Sequence, residues 1–320
     1  MKTPMSLLVL LVASVLFVGR PAFSQEAPPV WAYPVNPPDF KPPPDDGSLR
    51  RVPNSNLALT LTQVRDLFYA PDWHPDDHPK MPTLVATGRK PDVLACGFCH
   101  RADGPGGPEN ANLTGLPEEY IKQQIADFKS GARKSSVMNR APMSLKMKLV
   151  GPATEAEIAE AAAYFASIKP RSIVKVIESD TAPKTYVTGW YLAADIAGGT
   201  EPLGDRIIEV PDDLERFVSR DARATFTAYV PLGSIQQGRE LAASTDKTVP
   251  CGTCHGPDMK GLGSIPGIAG RSPSYLVRQL FDFKHGARAG AASDQMKPAM
   301  TKLTINDMIA LAAYAASLTP

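Results

Sequence analysis

Apolar residues recur at three- and four-residue intervals in four stretches of this chain, and those intervals predict helices. In "YIKQQIADFKSGAR" (120–133), Ile121, Ile125 and Phe128 fall on one face, and in "YLVRQLFDFKHGAR" (275–288) Leu276, Leu280 and Phe283 do the same. Gly131 and Gly286 stand where each helix should close. Two alanine-rich stretches, "TEAEIAEAAAYFASIKP" (154–170) and "TINDMIALAAYAASLTP" (304–320), follow. Thr154 and Thr304 are their expected N-caps, with Glu157 as a capping-box partner in the first. Small residues around a single aromatic position, Tyr164 or Tyr314, admit a closely packed second helix. Alternation of period two marks "SIVKVIES" (172–179), "RIIEV" (206–210) and "FTAYVP" (226–231) as strands, with turns at "AGG" and "EVPDD".

The helical stretches are copies of one another. The first pair shares eight of fourteen positions at an offset of 155, and the alanine-rich pair aligns at an offset of 150. At the same offset of 155, Cys96, Cys99 and His100 ("CGFCH") match Cys251, Cys254 and His255 ("CGTCH"). Each copy reads as helix, C-x-x-C-H, loop, helix, variable segment, helix.

Composition places the chain before its chemistry is considered. The 320 residues favour two domains and carry a formal net charge of +1, which argues against a nucleic-acid partner. Residues 1–24 resemble a cleavable signal, with Lys2, the apolar run "SLLVLLVASVLFV" and small residues before Gln25. A retained anchor is the alternative. Removing Lys2 and Arg20 leaves 32 basic against 33 acidic residues, and no later apolar run is long enough to span a membrane. The compartment expected is oxidising and extracytoplasmic, a bacterial periplasm.

Four cysteines in such a compartment would ordinarily mean disulfides. The spacing argues otherwise. Two cysteines three apart can each form a thioether to one haem vinyl group, and the histidine directly after them comes to lie beneath the iron. Paired zinc ligands would leave two histidines unexplained. A redox dithiol would require a β/α setting that these surroundings lack. Two covalent haem c groups consume all four cysteines.

With these motifs and the repeat, the chain resembles a tandem class I c-type cytochrome, similar to the dihaem cytochrome c4 group, over roughly 80–170 and 233–320. The fold class implied is mainly α: two cytochrome c-like helical haem domains joined by a partly β connector. The boundaries expected are a signal at 1–24, a Pro-rich extended arm at 25–60, haem domains at 61–170 and 233–320, and the connector at 171–232. The arm holds nine prolines, and Trp31 and Tyr33 could pin it to a domain surface. In the family a methionine ahead of the last helix is the sixth iron ligand. Two compete in each copy. Met143 and Met296 stand seven residues before Val150 and Leu303 and are the equivalent pair, with Met147 and Met300 as runners-up and Met138 third.

His/Met ligation implies one-electron transfer between periplasmic or membrane-bound redox proteins rather than turnover of a substrate. The alternatives are a dihaem enzyme of peroxidase or thiosulfate-oxidising type, and a cytochrome subunit of a periplasmic dehydrogenase complex. His74 and His78, each followed by proline, read as solvated loop residues, and His285 as a surface position. Lys129, Arg133, Lys134, Lys284 and Arg288 are candidates for docking an acidic partner, against a reading as ordinary solvated charges. Ala111 occupies the place of Pro266, whose carbonyl should orient His255, so the support of His100 is the less assured of the two.

Overall fold

The computed structural model describes residues 26–137 and 150–320. Met138, Met143 and Met147, and the expected signal, lie outside the described residues. The first repeat carries α1 (Leu61–Val64), α2 (Thr83–Ala86), α3 (Cys96–His100), α4 (Glu118–Lys129) and α5 (Glu155–Ser167). A strand-bearing segment follows: β1 (Val174–Glu178), β2 (Thr181–Pro183), β3 (Thr185–Thr188), β4 (Tyr191–Ala194), β5 (Thr200–Pro202), β6 (Ile208–Pro211), α6 (Leu214–Val218) and β7 (Phe226–Val230). The second repeat carries α7 (Ser234–Ala242), α8 (Gly252–His255), β8 (Gly261–Leu262), β9 (Ile265–Pro266), α9 (Pro273–Lys284), α10 (Lys297–Met300) and α11 (Ile305–Ser317). No helix among the described residues is long and apolar enough to cross a membrane.

Helix ends follow the local chemistry. Both α4 and α9 are followed, after one capping residue, by a glycine in the left-handed region, Gly131 and Gly286, each with φ +73°. At Thr154 and Thr304 the hydroxyl accepts from the backbone N–H three residues on, while the Glu157 or Asp307 carboxylate accepts from the cap's own N–H. Capping boxes therefore start both α5 and α11. The close packing expected of the last helix is met by α7, which crosses α11 with Gly238 against Ala310. A Cβ at 238 would run into the Ala310 carbonyl.

Each repeat has its own core. Leu84, Val85, Ile121, Ile158 and Phe165 build the first; Val277, Phe281, Leu303, Met308 and Leu311 build the second. Between them β1, β7 and β6 form a three-stranded sheet in that order, with β1 parallel and β6 antiparallel to β7. These strands coincide with the three alternating stretches of the sequence. The short pairs β2–β5 and β3–β4 were not legible there, because Pro183 and Gly189 break up their alternation.

The strand-bearing segment touches both repeats. Ala228 and Val230 of β7 are buried in the second repeat's core, with Val174 and Val176 packed beside them. Toward the first repeat, the Trp73 indole donates to the Ser219 carbonyl at 2.7 Å, and Arg220 donates to the Val64 carbonyl at 3.2 Å. The Pro-rich stretch is seated at Trp31 and Tyr33. Tyr33 is buried, meets Phe281 edge-on at 6.1 Å, and donates to Asp282 at 2.8 Å.

Candidate functional site

Each C-x-x-C-H sits on a single helical turn, which puts its two thiols on one side with the histidine directly after them. In the first repeat that turn packs tightly: a Cβ at Gly97 would lie 2.7 Å from Ala70 Cβ and 2.9 Å from the Val85 carbonyl. All four cysteines are half-buried.

Both histidines are buried and oriented by the same contact. His255 Nδ1 lies 2.8 Å from the Pro266 carbonyl, and His100 Nδ1 lies 2.8 Å from the Ala111 carbonyl. A carbonyl only accepts, so each Nδ1 carries the proton, and in the neutral ring Nε2 presents a lone pair. Burial lowers the basicity of His255, which keeps that ring neutral. The weaker support expected at His100 is not found. What the histidine needs is a backbone carbonyl at that distance, and alanine has one as surely as proline.

A continuous, mostly apolar cavity joins the two motifs. Cys96, Cys99 and His100 line one end, and Cys251, Cys254, His255, Met296 and Met300 the other. Met296 is half-buried where α10 begins, while Met300 is buried in the core of its repeat. His74, His78 and His285 are not among the cavity's lining residues. The donor set fits haem c at each end: paired thiols, an imidazole with Nε2 available as a lone-pair donor, and carbon-rich walls for a flat apolar ring.

The three remaining histidines are not where the sequence reading put them. His74 is buried, with Nε2 3.0 Å from Asp221 of the strand-bearing segment. His78 keeps only 3 % of its side chain exposed, with Nε2 3.2 Å from Asp72 and Nδ1 2.9 Å from both the Pro79 carbonyl and the Tyr164 hydroxyl. Burial pulls the His78 pKa down, but the bonds to Asp72 and to the Pro79 carbonyl outweigh it and leave the pKa raised. His285 stacks on Phe281 at 4.1 Å rather than facing solvent. Proline after each loop histidine prevents a helix, but it does not prevent burial by a segment far along the chain.

Four of the five basic residues considered for docking are committed elsewhere, while Lys134 stays exposed. Arg133 and Arg288 lie in the junction between the repeats, which meet through their matching stretches. Arg133 donates to Gln124 of its own repeat at 2.8 Å and to Tyr275 and Gln279 of the other at 2.9 Å. Arg288 reciprocates, donating to Gln279 of its own repeat at 3.1 Å and to Tyr120 and Gln124 at 2.7 Å. Lys129 and Lys284 donate to the Ala153 and Leu303 carbonyls, which ties each helix end to its own repeat.

Two further arginines flank the first motif. Arg220 stacks on the Phe98 ring at 3.6 Å and donates to the Phe98 carbonyl at 2.8 Å. Burial, then the nearby Arg101, draws its pKa down to about 10, so it remains charged at neutral pH. Arg101 holds φ +69°, ψ 167°, the conformation that Gly256 holds after the second motif at φ +80°, ψ 158°. That region is nearly reserved for glycine and costs a side-chain-bearing residue on the order of 1–3 kcal/mol. Its guanidinium lies over the Phe217 ring at 4.8 Å and 3.5 Å from Glu109. Spacing could not have found Arg220, which is 121 positions from Cys99. The recurring "GAR" was a signal for Arg133 and Arg288.

Known proteins share parts of this chain. The sequence profile of the family described as Cytochrome c matches residues 235–319. A thiosulfate dehydrogenase electron acceptor of Thiomonas intermedia is 25 % identical over 231 residues, 71 % of this chain and 80 % of that protein. Cytochrome c4 of Azotobacter vinelandii is 25 % identical over 227 residues, 69 % of this chain and 83 % of that protein. Cytochrome c-554(548) of Halomonas halodenitrificans is 35 % identical over 79 residues, 24 % of this chain and 95 % of that protein.

Proposed function

This chain belongs to the cytochrome c family as a tandem, cytochrome c4-like member with two haem c groups, and on that premise we propose that it is a periplasmic carrier of single electrons between redox proteins. Cys96 and Cys99 hold one haem covalently and Cys251 and Cys254 the other. His100 and His255 are the proximal iron ligands, and Met143 and Met296 the sixth. Two helical haem domains, 61–170 and 233–320, flank the partly β connector. When bound, the haems supply reversible one-electron oxidation and reduction.

The observation that carries the reading is the shared cavity with a matched histidine at each end. The Ala111 and Pro266 carbonyls hold the Nδ1 protons, so Nε2 is the nitrogen each ring would offer to a metal. The walls are mostly apolar, and Arg133 and Arg288 line the same cavity as both motifs. The Thiomonas relative is named as the acceptor of a dehydrogenase, which favours a dehydrogenase as the donor here as well.

Reduced and oxidised absorption spectra during a potentiometric titration test this proposal. Two low-spin haems with a methionine–iron band are expected; a high-spin haem overturns pure electron carriage. Met143→Ala and Met296→Ala should each open one iron to carbon monoxide. If Met300→Ala does so instead of Met296→Ala, the ligand assignment in the second repeat is wrong.

A further inference from the structure

The carbonyls that orient the two histidines are equidistant from them but are fixed by different means. Pro266 pairs with Gly261 in the β8–β9 ladder, and its ring restricts φ. Both of these restraints on its carbonyl lie within the second repeat. Ala111 has no ring. The loop around it contains one isolated bridge, between Gly107 and Asn110, and a bond from the Leu113 N–H to the Gly104 carbonyl at 2.7 Å.

The loop is clamped from across the junction. Arg271 of the second repeat donates through Nη1 to the Asn112 carbonyl and through Nη2 to the Thr114 carbonyl, each at 2.9 Å. Asn112 also accepts, through its side chain, from the Thr114 N–H at 3.0 Å and the Thr114 hydroxyl at 2.6 Å. The residue beside Ala111 is therefore held on both sides. Arg271 is buried, which draws its pKa down to about 10 and still leaves it protonated at neutral pH. A buried, charged fork giving two hydrogen bonds to neutral carbonyls is a costly device for mere contact, since desolvating the guanidinium must be offset. At the offset of 155 its counterpart is Leu116, which has no donor for such a clamp.

We propose that Arg271 is a positioning residue for His100: by pinning Asn112 and Thr114 it holds the Ala111 carbonyl against His100 Nδ1. It does from the other repeat what the proline ring does locally at His255. Docking of the second repeat thereby sets the ring orientation of the first haem's proximal ligand, while the second haem needs nothing in return. The inference rests on the reading of His100 as an iron ligand.

The test uses the full-length holoprotein in its oxidised state, with the paramagnetically shifted haem-methyl proton resonances as the report on histidine orientation. Met296→Ala assigns the second haem's set. Arg271→Leu should shift the first haem's methyl resonances and leave the second haem's in place, although residue 271 belongs to the second repeat. Arg271→Lys, which keeps the charge and one donor, should shift them less. Adding Ala111→Pro to Arg271→Leu should return the first haem's resonances toward the wild-type positions. Unchanged resonances, or equal shifts at both haems, overturn the proposal; should Arg271→Leu fail to accumulate, Arg271→Lys is judged by the same criterion. Intact mass of the wild-type protein separates the two ideas. A single haem attached at Cys251 and Cys254 defeats the site reading itself, whereas with two haems attached the resonances judge Arg271 alone.

Discussion

Arg133 and Arg288, equivalent residues of the two repeats, pair backbone to backbone in an antiparallel bridge, and each extends its guanidinium into the other repeat. The contact set is near-symmetric: each arginine meets Gln124 and Gln279, the tyrosine of the opposite repeat, and the face of its own phenylalanine, Phe128 or Phe283. One stretch of sequence, used twice, thus builds both halves of the junction by facing its own copy.

Removing either arginine strands buried polar groups. Arg133→Ala leaves the Tyr275 hydroxyl without this donor, and each such buried group costs about 1–3 kcal/mol. Urea unfolding should show a loss on the order of 3 kcal/mol. The double variant with Arg288→Ala should lose less than the two singles together, because both arginines share Gln124 and Gln279 and burial next to Arg133 already lowers the Arg288 pKa. Strict additivity would argue against one coupled network.

Tyr33 ties the Pro-rich stretch to α9. Tyr33→Phe removes a bond to Asp282 and one to the Arg278 carbonyl at 3.1 Å, while Asp282 keeps Ser136 as a partner. A loss of about 1 kcal/mol in urea unfolding is expected. Burial, then Asp282, holds the Tyr33 phenol far above the ordinary tyrosine range, so the wild type and Tyr33→Phe should titrate the same number of tyrosines in the alkaline absorbance; one fewer in the variant would place the Tyr33 phenol in solvent.

Helix α7 approaches α11 as closely as backbone allows at Gly238. Gly238→Ala forces a methyl group against the Ala310 carbonyl. Such overpacking costs about 1–3 kcal/mol, and here the obstacle is backbone rather than a mobile side chain. A lowered midpoint in thermal unfolding followed by circular dichroism, with both haems still attached, is the expected result.

Stability should depend on pH through His78. Its folded pKa is raised above the unfolded value of about 6.5. The protonated ring is therefore favoured in the native state, and its contribution is fully present below about pH 6.5 and lost as pH rises through the folded value. The facing groups are Asp72, Asp103 and Tyr164. Replacing His78 with glutamine should flatten the urea midpoint between pH 6 and pH 8; an unchanged slope would assign that dependence elsewhere.

What the sequence by itself determined was the short-range chemistry. C-x-x-C-H places two thiols and an imidazole on one turn, and Thr154 and Thr304 start, as Gly131 and Gly286 close, their helices through bonds within a few residues. The three strand stretches were legible from their apolar runs, although only β7 alternates buried and half-buried residues and all four residues of β6 are buried. The tertiary structure alone decided which distant groups complete those local pieces. His74 and His78 are buried because Asp221 and Tyr164 arrive from 147 and 86 residues away. Arg133 and Arg288 face a copy of their own segment rather than a partner protein. The Ala111 carbonyl serves His100 because every residue has a carbonyl, and side-chain identity says nothing about where the backbone brings it.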